Sequence, residues 1–149
     1  MEPVTLPAPV QYVGFWARVG ASLIDTILIA MVIAPLAWVI VGREYFDLTR
    51  ATGGTEILLE WILPAIAVLA FWVYRSATPG KIVINAVIVD ADTFRKPTTA
   101  QFIGRYLAYF VSTIPFGLGL MWVGWDKRKQ GWHDKLARTV VIRDRAAPP

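Results

Sequence analysis

Residues 19–41 read VGASLIDTILIAMVIAPLAWVIV, and the reading of this stretch decides the fold. At about 1.5 Å of rise per helical residue the run is long enough to cross a hydrocarbon core of roughly 30 Å. Its one charge is Asp25. Each Val, Leu or Ile contributes about −0.3 to −0.6 kcal/mol to insertion, against about +2.5 to +3.5 kcal/mol for a central aspartate, so the balance over the run favours lipid.

Two more apolar runs lie outward from it. Residues 57–74 follow Gly53 and Gly54, which read as a turn, with Thr55 as N-cap and Glu56 in the first helical turn. That run ends in Phe71, Trp72 and Tyr74, placed as an interfacial aromatic belt would be. Residues 102–125 form the third run. Thr98 and Gln101 have capping-box spacing before it, but Ile114-Pro115-Phe116-Gly117-Leu118-Gly119 puts a proline and two glycines in its middle. It is either one kinked span or a hairpin of two short helices.

Charge favours the hairpin. The connection between the first two runs holds Arg43 and Arg50 against Glu44, Asp47, Glu56 and Glu60, whereas residues 75–105 carry Arg75, Lys81, Arg95, Lys96 and Arg105. Basic residues are also dense after the third run, from Lys127 to Arg145. A single straight third crossing would place two basic segments on opposite faces of the membrane, against the positive-inside rule. With a hairpin folding back at Pro115, both termini and both basic segments are cytoplasmic. The short runs 82–89 and 139–142, rich in Val and Ile, read as strands that pair at that surface, with 90–97 as a polar connector. The expected fold is therefore an all-α transmembrane, polytopic helical bundle: two full spans, a broken third segment and a small cytoplasmic β-strand pair. Residues 1–14, with Pro3, Pro7 and Pro9, read as a short disordered lead without a cleavable signal. Residues 15–145 form one transmembrane domain, and 146–149 a disordered tail.

Composition agrees with a membrane protein and excludes several chemistries. A hydrophobic share of 56% in 149 residues exceeds that of an ordinary soluble domain. There is no cysteine, which removes disulfide scaffolding, thiol redox chemistry and cysteine-ligated metals. His133 is the only histidine, so a multi-histidine metal site cannot be built. Gly80-Lys81 lacks the upstream glycine of a phosphate-binding loop, Arg75 standing there instead, and there is no nucleophile elbow. No catalytic residue, metal or cofactor is expected. The formal charge of +4 lies mostly beside the apolar runs, so anionic lipid headgroups, not nucleic acid, are the expected partner.

Two clusters are candidates for function. Arg18, Ser22 and Asp25 stand at i, i+4 and i+7 and share one helix face, Asp25 lying roughly 10 Å deeper than Arg18 at the helical rise. Ionisable residues at such depth line pathways or make interhelical contacts. Ala17 and Ala21 beside them allow a close helix approach, and Arg105 is the candidate counter-charge for Asp25. The second cluster, residues 125–134, contains Asp126, His133 and Asp134; as a purely structural feature it is an interfacial belt of tryptophans and basic residues.

Gly14-Phe15-Trp16-Ala17-Arg18, Asp25, Thr78-Pro79-Gly80-Lys81, Val87-Ile88-Val89-Asp90, Arg105 and Gln130-Gly131-Trp132-His133-Asp134-Lys135-Leu136-Ala137 occur here in the order seen in a known family. The chain resembles the RDD family of bacterial membrane proteins, named for one arginine and two aspartates. By that resemblance the arginine is Arg18, the first aspartate Asp25, and the second Asp134, with Asp126 in a region where the family is also acidic. Arg138 departs from the pattern, since the family usually has glycine there. The resemblance implies a multi-pass protein of the bacterial inner (cytoplasmic) membrane and a small transporter or sodium/proton exchange component; because so few helices can hardly enclose a path alone, it is expected to act as an oligomer, with a homo-oligomer or another membrane protein as the partner. The alternative is a non-catalytic scaffold that binds another membrane protein.

The hairpin topology predicts that Ala51→Cys is labelled by a membrane-impermeant thiol reagent added outside intact cells, while Ala147→Cys is protected. Labelling of position 147 without position 51 would overturn it.

Overall fold

The computed structural model of the protein describes residues 9–144. Helix α1 (Phe15–Ile40, 26 residues) is the first apolar run extended by one turn toward the N-terminus. Pro35 lies inside it and is accommodated, as prolines in membrane helices often are. A 3₁₀ segment, Gly42–Phe46, leads away. Helix α2 (Gly54–Ile57), a π turn at Leu58–Ile62 and α3 (Leu63–Arg75) follow as one continuous helix of 22 residues, Gly54–Arg75. These two helices are long and apolar enough to cross a membrane.

Two local expectations for the second helix need correction. Its N-cap is Gly53, and Thr55 is exposed one residue into the helix. Glu56 is the group that closes this end: it is buried and its carboxylate lies 3.3 Å from Arg50. Trp72 does not belong to an interfacial belt. It is buried against Phe102 and Tyr109, while its neighbour Tyr74 is exposed. A hydropathy run cannot distinguish the two cases, because the rotation of a helix within a bundle is set by its partners.

Ser76, in the left-handed conformation, ends α3 and the chain turns into α4 (Pro79–Val83). Strand β1 (Ala86–Asp90) begins after Asn85, also left-handed. The expected strand at 82–89 is thus half right: Pro79 fixes the first turn of a helix, and only the residues beyond Asn85 are extended. Strand β2 (Thr139–Arg143) pairs antiparallel with β1, Ile88 opposite Val141 and Asp90 opposite Thr139. Residues Gln11–Val13, expected to be disordered lead, add to this ribbon instead. Tyr12 bridges to Ile142, and the Val13 amide donates to the Val141 carbonyl at 3.0 Å. The disorder expected of residues 1–8 and of the tail 146–149 falls outside the described residues.

The third apolar run is broken. Helix α5 (Thr99–Thr113) starts at the expected capping box, with Thr98 and Gln101 satisfying each other's amides. Phe116 and Gly117 then adopt positive φ, and α6 (Leu118–Met121) with its 3₁₀ extension to Gly124 leaves at 111° to α5. The chain comes back along α7 (Trp132–Leu136) against α5. The strand pair, α3 and α5 share one core: Val13, Trp72, Ile88, Phe102 and Val141. Arg138 has φ +53°, a left-handed turn that glycine would make without strain and that an arginine makes at a conformational cost of about 1 kcal/mol. Its guanidinium pairs with Asp92 at 2.6 Å.

Candidate functional site

Three elements converge on one carboxylate. Asp134, on the first turn of α7, is 0% exposed. Its Oδ2 accepts from Arg18 Nη1 of α1 at 2.6 Å and from the Gly131 amide at 2.9 Å, and its Oδ1 accepts from Arg105 Nη1 of α5. Burial alone would push this carboxyl up; the Arg105 and Arg18 guanidinium groups outweigh it and hold the group well below the usual carboxylate range. Each arginine is tied down further. Arg18 donates to the Val13 and Lys129 carbonyls, and Arg105 to the Thr139 hydroxyl at 2.7 Å. Arg105 also lies over the Trp72 and Tyr109 rings, 5.4 and 5.7 Å from their centroids. The ion pair thus joins α1, α3, α5, α7 and β2.

Asp25 makes a second junction with different partners. Its carboxylate accepts from the Thr78 hydroxyl at 2.5 Å and the Gly80 amide at 2.7 Å, fastening α4 to α1. Gly80 is required by space: a Cβ there would stand 2.0 Å from the Ala21 carbonyl oxygen. The expected pairing of Asp25 with Arg105 is therefore corrected. Arg105 finds its acid in Asp134, and Asp25 is held by two neutral donors.

The other sequence candidates separate. Asp126 caps its own loop, accepting from the Arg128 and Gln130 amides and pairing with Lys135 at 2.5 Å. Ser22 shares a half-open cavity of about 400 Å³ with Arg18, Lys81 and His133, whereas Asp25 lines a different, apolar groove. His133 is stacked on Tyr109 with centroids 4.0 Å apart, its amide donates to Ser112 Oγ at 3.0 Å, and its Nε2 is 3.5 Å from Asp134. Sequence reasoning missed Tyr109 and Ser112. Each is an ordinary residue on an apolar element, and only the fold brings it to the acid. Thr78 and Gly80 had a signal, since they lie in one of the segments quoted for the family resemblance. Among the described residues no group of three His, Cys, Asp or Glu side chains could hold a metal ion.

Comparison with known proteins places this arrangement. The model for the RDD family matches residues 12–138. The chain belongs to the RDD family. That match runs from the Tyr12 bridge to the Arg138 turn and takes in both junctions. Relatives include the uncharacterized protein YckC of Bacillus subtilis (strain 168), 30% identical over 86% of this chain and 82% of that protein. The uncharacterized membrane protein YteJ of the same organism is 26% identical over 90% of this chain and 82% of its own length. The uncharacterized protein RP437 of Rickettsia prowazekii (strain Madrid E) is 40% identical over 50% of this chain, which spans 41% of that relative. No solved structure matches.

Burial pushes the His133 imidazole down to about 3 from the ordinary 6.5, against the pull of the Asp134 carboxylate. The folded protein therefore keeps this ring neutral where the unfolded chain protonates it. That stability is fully present above pH 6.5 and is lost as pH falls toward 3, at up to about 1.4 kcal/mol per pH unit. Denaturation in detergent between pH 7.5 and 5 should show a steeper loss for the wild type than for His133→Gln; equal slopes would refute the burial argument.

Proposed function

We propose that this protein is a multi-pass protein of the bacterial cytoplasmic membrane in which Arg18, Asp25, Arg105 and Asp134 act as a structural clamp, and that it serves as a non-catalytic membrane module. In this reading residues 9–14, the 75–101 segment and the strand pair form a cytoplasmic cap held down onto the helices. The module presents this cap to another membrane protein or to further copies of itself. The observation that carries the reading is the occupancy of both acids, Asp134 buried and Asp25 half-buried. Asp134 is engaged by two guanidinium groups and an amide, and Asp25 by a hydroxyl and an amide. A carboxylate that relays protons or takes up sodium works by exchanging its partners, whereas every partner of these two is a group of this chain whose bond joins one element to another.

A second reading, a transporter or sodium/proton exchange component acting as an oligomer, is favoured by the half-open cavity beside Arg18 and Lys81. So few helices enclose no path alone, so this reading requires several copies. The two readings diverge at Asp25. As a clamp, Asp25→Asn keeps an acceptor for the Gly80 amide and faces its new donor to the Thr78 hydroxyl, costing about 1 kcal/mol. Asp25→Leu strands both donors and costs about 2–4 kcal/mol. In proteoliposomes under imposed sodium, potassium or proton gradients the wild type should then show no protein-dependent cation flux. A wild-type flux abolished by a well-folded Asp25→Asn protein would overturn the clamp reading in favour of exchange.

A further inference from the structure

The cavity beside the clamp contains one cation that the fold leaves over. Lys81, on α4, is only 6% exposed and lines this cavity with Arg18, Ser22, Tyr109 and His133. Around it the charges match unevenly. Asp134 is taken by Arg18 and Arg105, and Asp25 by Thr78 and Gly80. Among the described residues the Lys81 side chain has no hydrogen bond or ion pair at contact distance, and Tyr109 and Asp25 act on its ammonium only through longer-range charge. Burial pushes its ammonium down, so an unfilled cavity carries an electrostatic cost that an anion would relieve.

The rest of the cavity wall is greasy. Leu23, Leu120 and Met121 line it, together with Phe116 at the α5–α6 break. Leu23, Phe116 and Met121 are exposed, so the apolar wall continues onto the outer surface of the helices. A free inorganic anion would satisfy the lysine and leave that wall wet. A volume of about 400 Å³ is also within the range of small-molecule sites.

We propose that this cavity binds one anionic phospholipid, its phosphate group paired with Lys81 and its acyl chain laid along Leu23, Leu120 and Met121. The Ser22 hydroxyl and the outer edge of Arg18 flank the phosphate. The proposal concerns a built site, distinct from general attraction of the basic segments to anionic headgroups, and it does not depend on whether the module docks or transports.

Native mass spectrometry of the purified full chain in neutral detergent tests it, with dioctanoyl phosphatidylglycerol, dioctanoyl phosphatidylcholine and inorganic phosphate as separate probes. One phosphatidylglycerol should bind at least about tenfold more tightly than phosphatidylcholine, a charge-assisted contact being worth that much, and phosphate alone should neither bind nor compete. Lys81→Met should bring phosphatidylglycerol down to the phosphatidylcholine level. Ser22→Phe, which fills the cavity from an exposed position, should abolish binding while leaving the clamp intact, and covers the case in which Lys81→Met fails to fold. Lys127→Met, which removes an exposed lysine elsewhere, should bind as the wild type does. Equal binding of the two lipids, wild-type affinity in Ser22→Phe or in folded Lys81→Met, or competition by phosphate at the lipid's own affinity would overturn the proposal.

Discussion

An ionised carboxylate removed from water survives only if its lone pairs are taken up by donors, and Asp134 is removed from water completely. Its two guanidinium partners come from α1 and α5, 116 and 29 residues away in the chain. Because removing one partner of such a pair strands a buried charge at a cost of about 3–5 kcal/mol, α1, α5 and α7 cannot separate independently. The rest of the fold follows from this constraint. The return of the chain along α5 after the 111° break, the short α7 and the antiparallel ribbon bring Asp134 and Thr139 to Arg105.

The second junction does for the middle of the chain what Asp134 does for its end. Helix α4 has only five residues and little area of its own to bury, so its position depends on Asp25 accepting from Thr78 and Gly80 and on the close approach that Gly80 permits at Ala21. Fastening α4 also fixes Lys81 behind it. The basic cavity is thus a consequence of the clamp: the same two junctions that engage the acids leave Lys81 without a hydrogen bond or ion pair at contact distance among the described residues. Membrane packing without a strong hydrophobic drive between helices relies on such polar contacts and on small residues at the interface.

Much of this was legible in the sequence, for identifiable reasons. The two helices long and apolar enough to span follow from length and apolarity, the start of α5 from Thr98 and Gln101, and the break from Pro115 and Gly117, because each is a local signal with a local cause. The strand pair was visible from its Val and Ile content, although Pro79 shortened the first strand at its start. The candidate site was legible as a set of residues and not as a set of contacts. Arg18, Asp25, Arg105 and Asp134 were all singled out, yet Asp25 and Arg105 were joined to each other, since two opposite charges in apolar helices invite pairing. Which acid meets which base depends on the α5–α7 return, a tertiary arrangement that spacing alone does not encode. Trp72 was misplaced for the same reason.

The central claim is that Asp134 and Arg105 act as a coupled, buried pair, and a double-mutant cycle measures that coupling directly. Unfolding free energies in detergent would be compared for the wild type, Asp134→Asn, Arg105→Met and the double variant. Each single change should cost about 3–5 kcal/mol, and the double should fall short of their sum by at least about 2 kcal/mol, because the second change removes a group already stranded by the first. Additive losses within about 0.5 kcal/mol would mean that the two residues stabilise the protein independently, and would contradict the account.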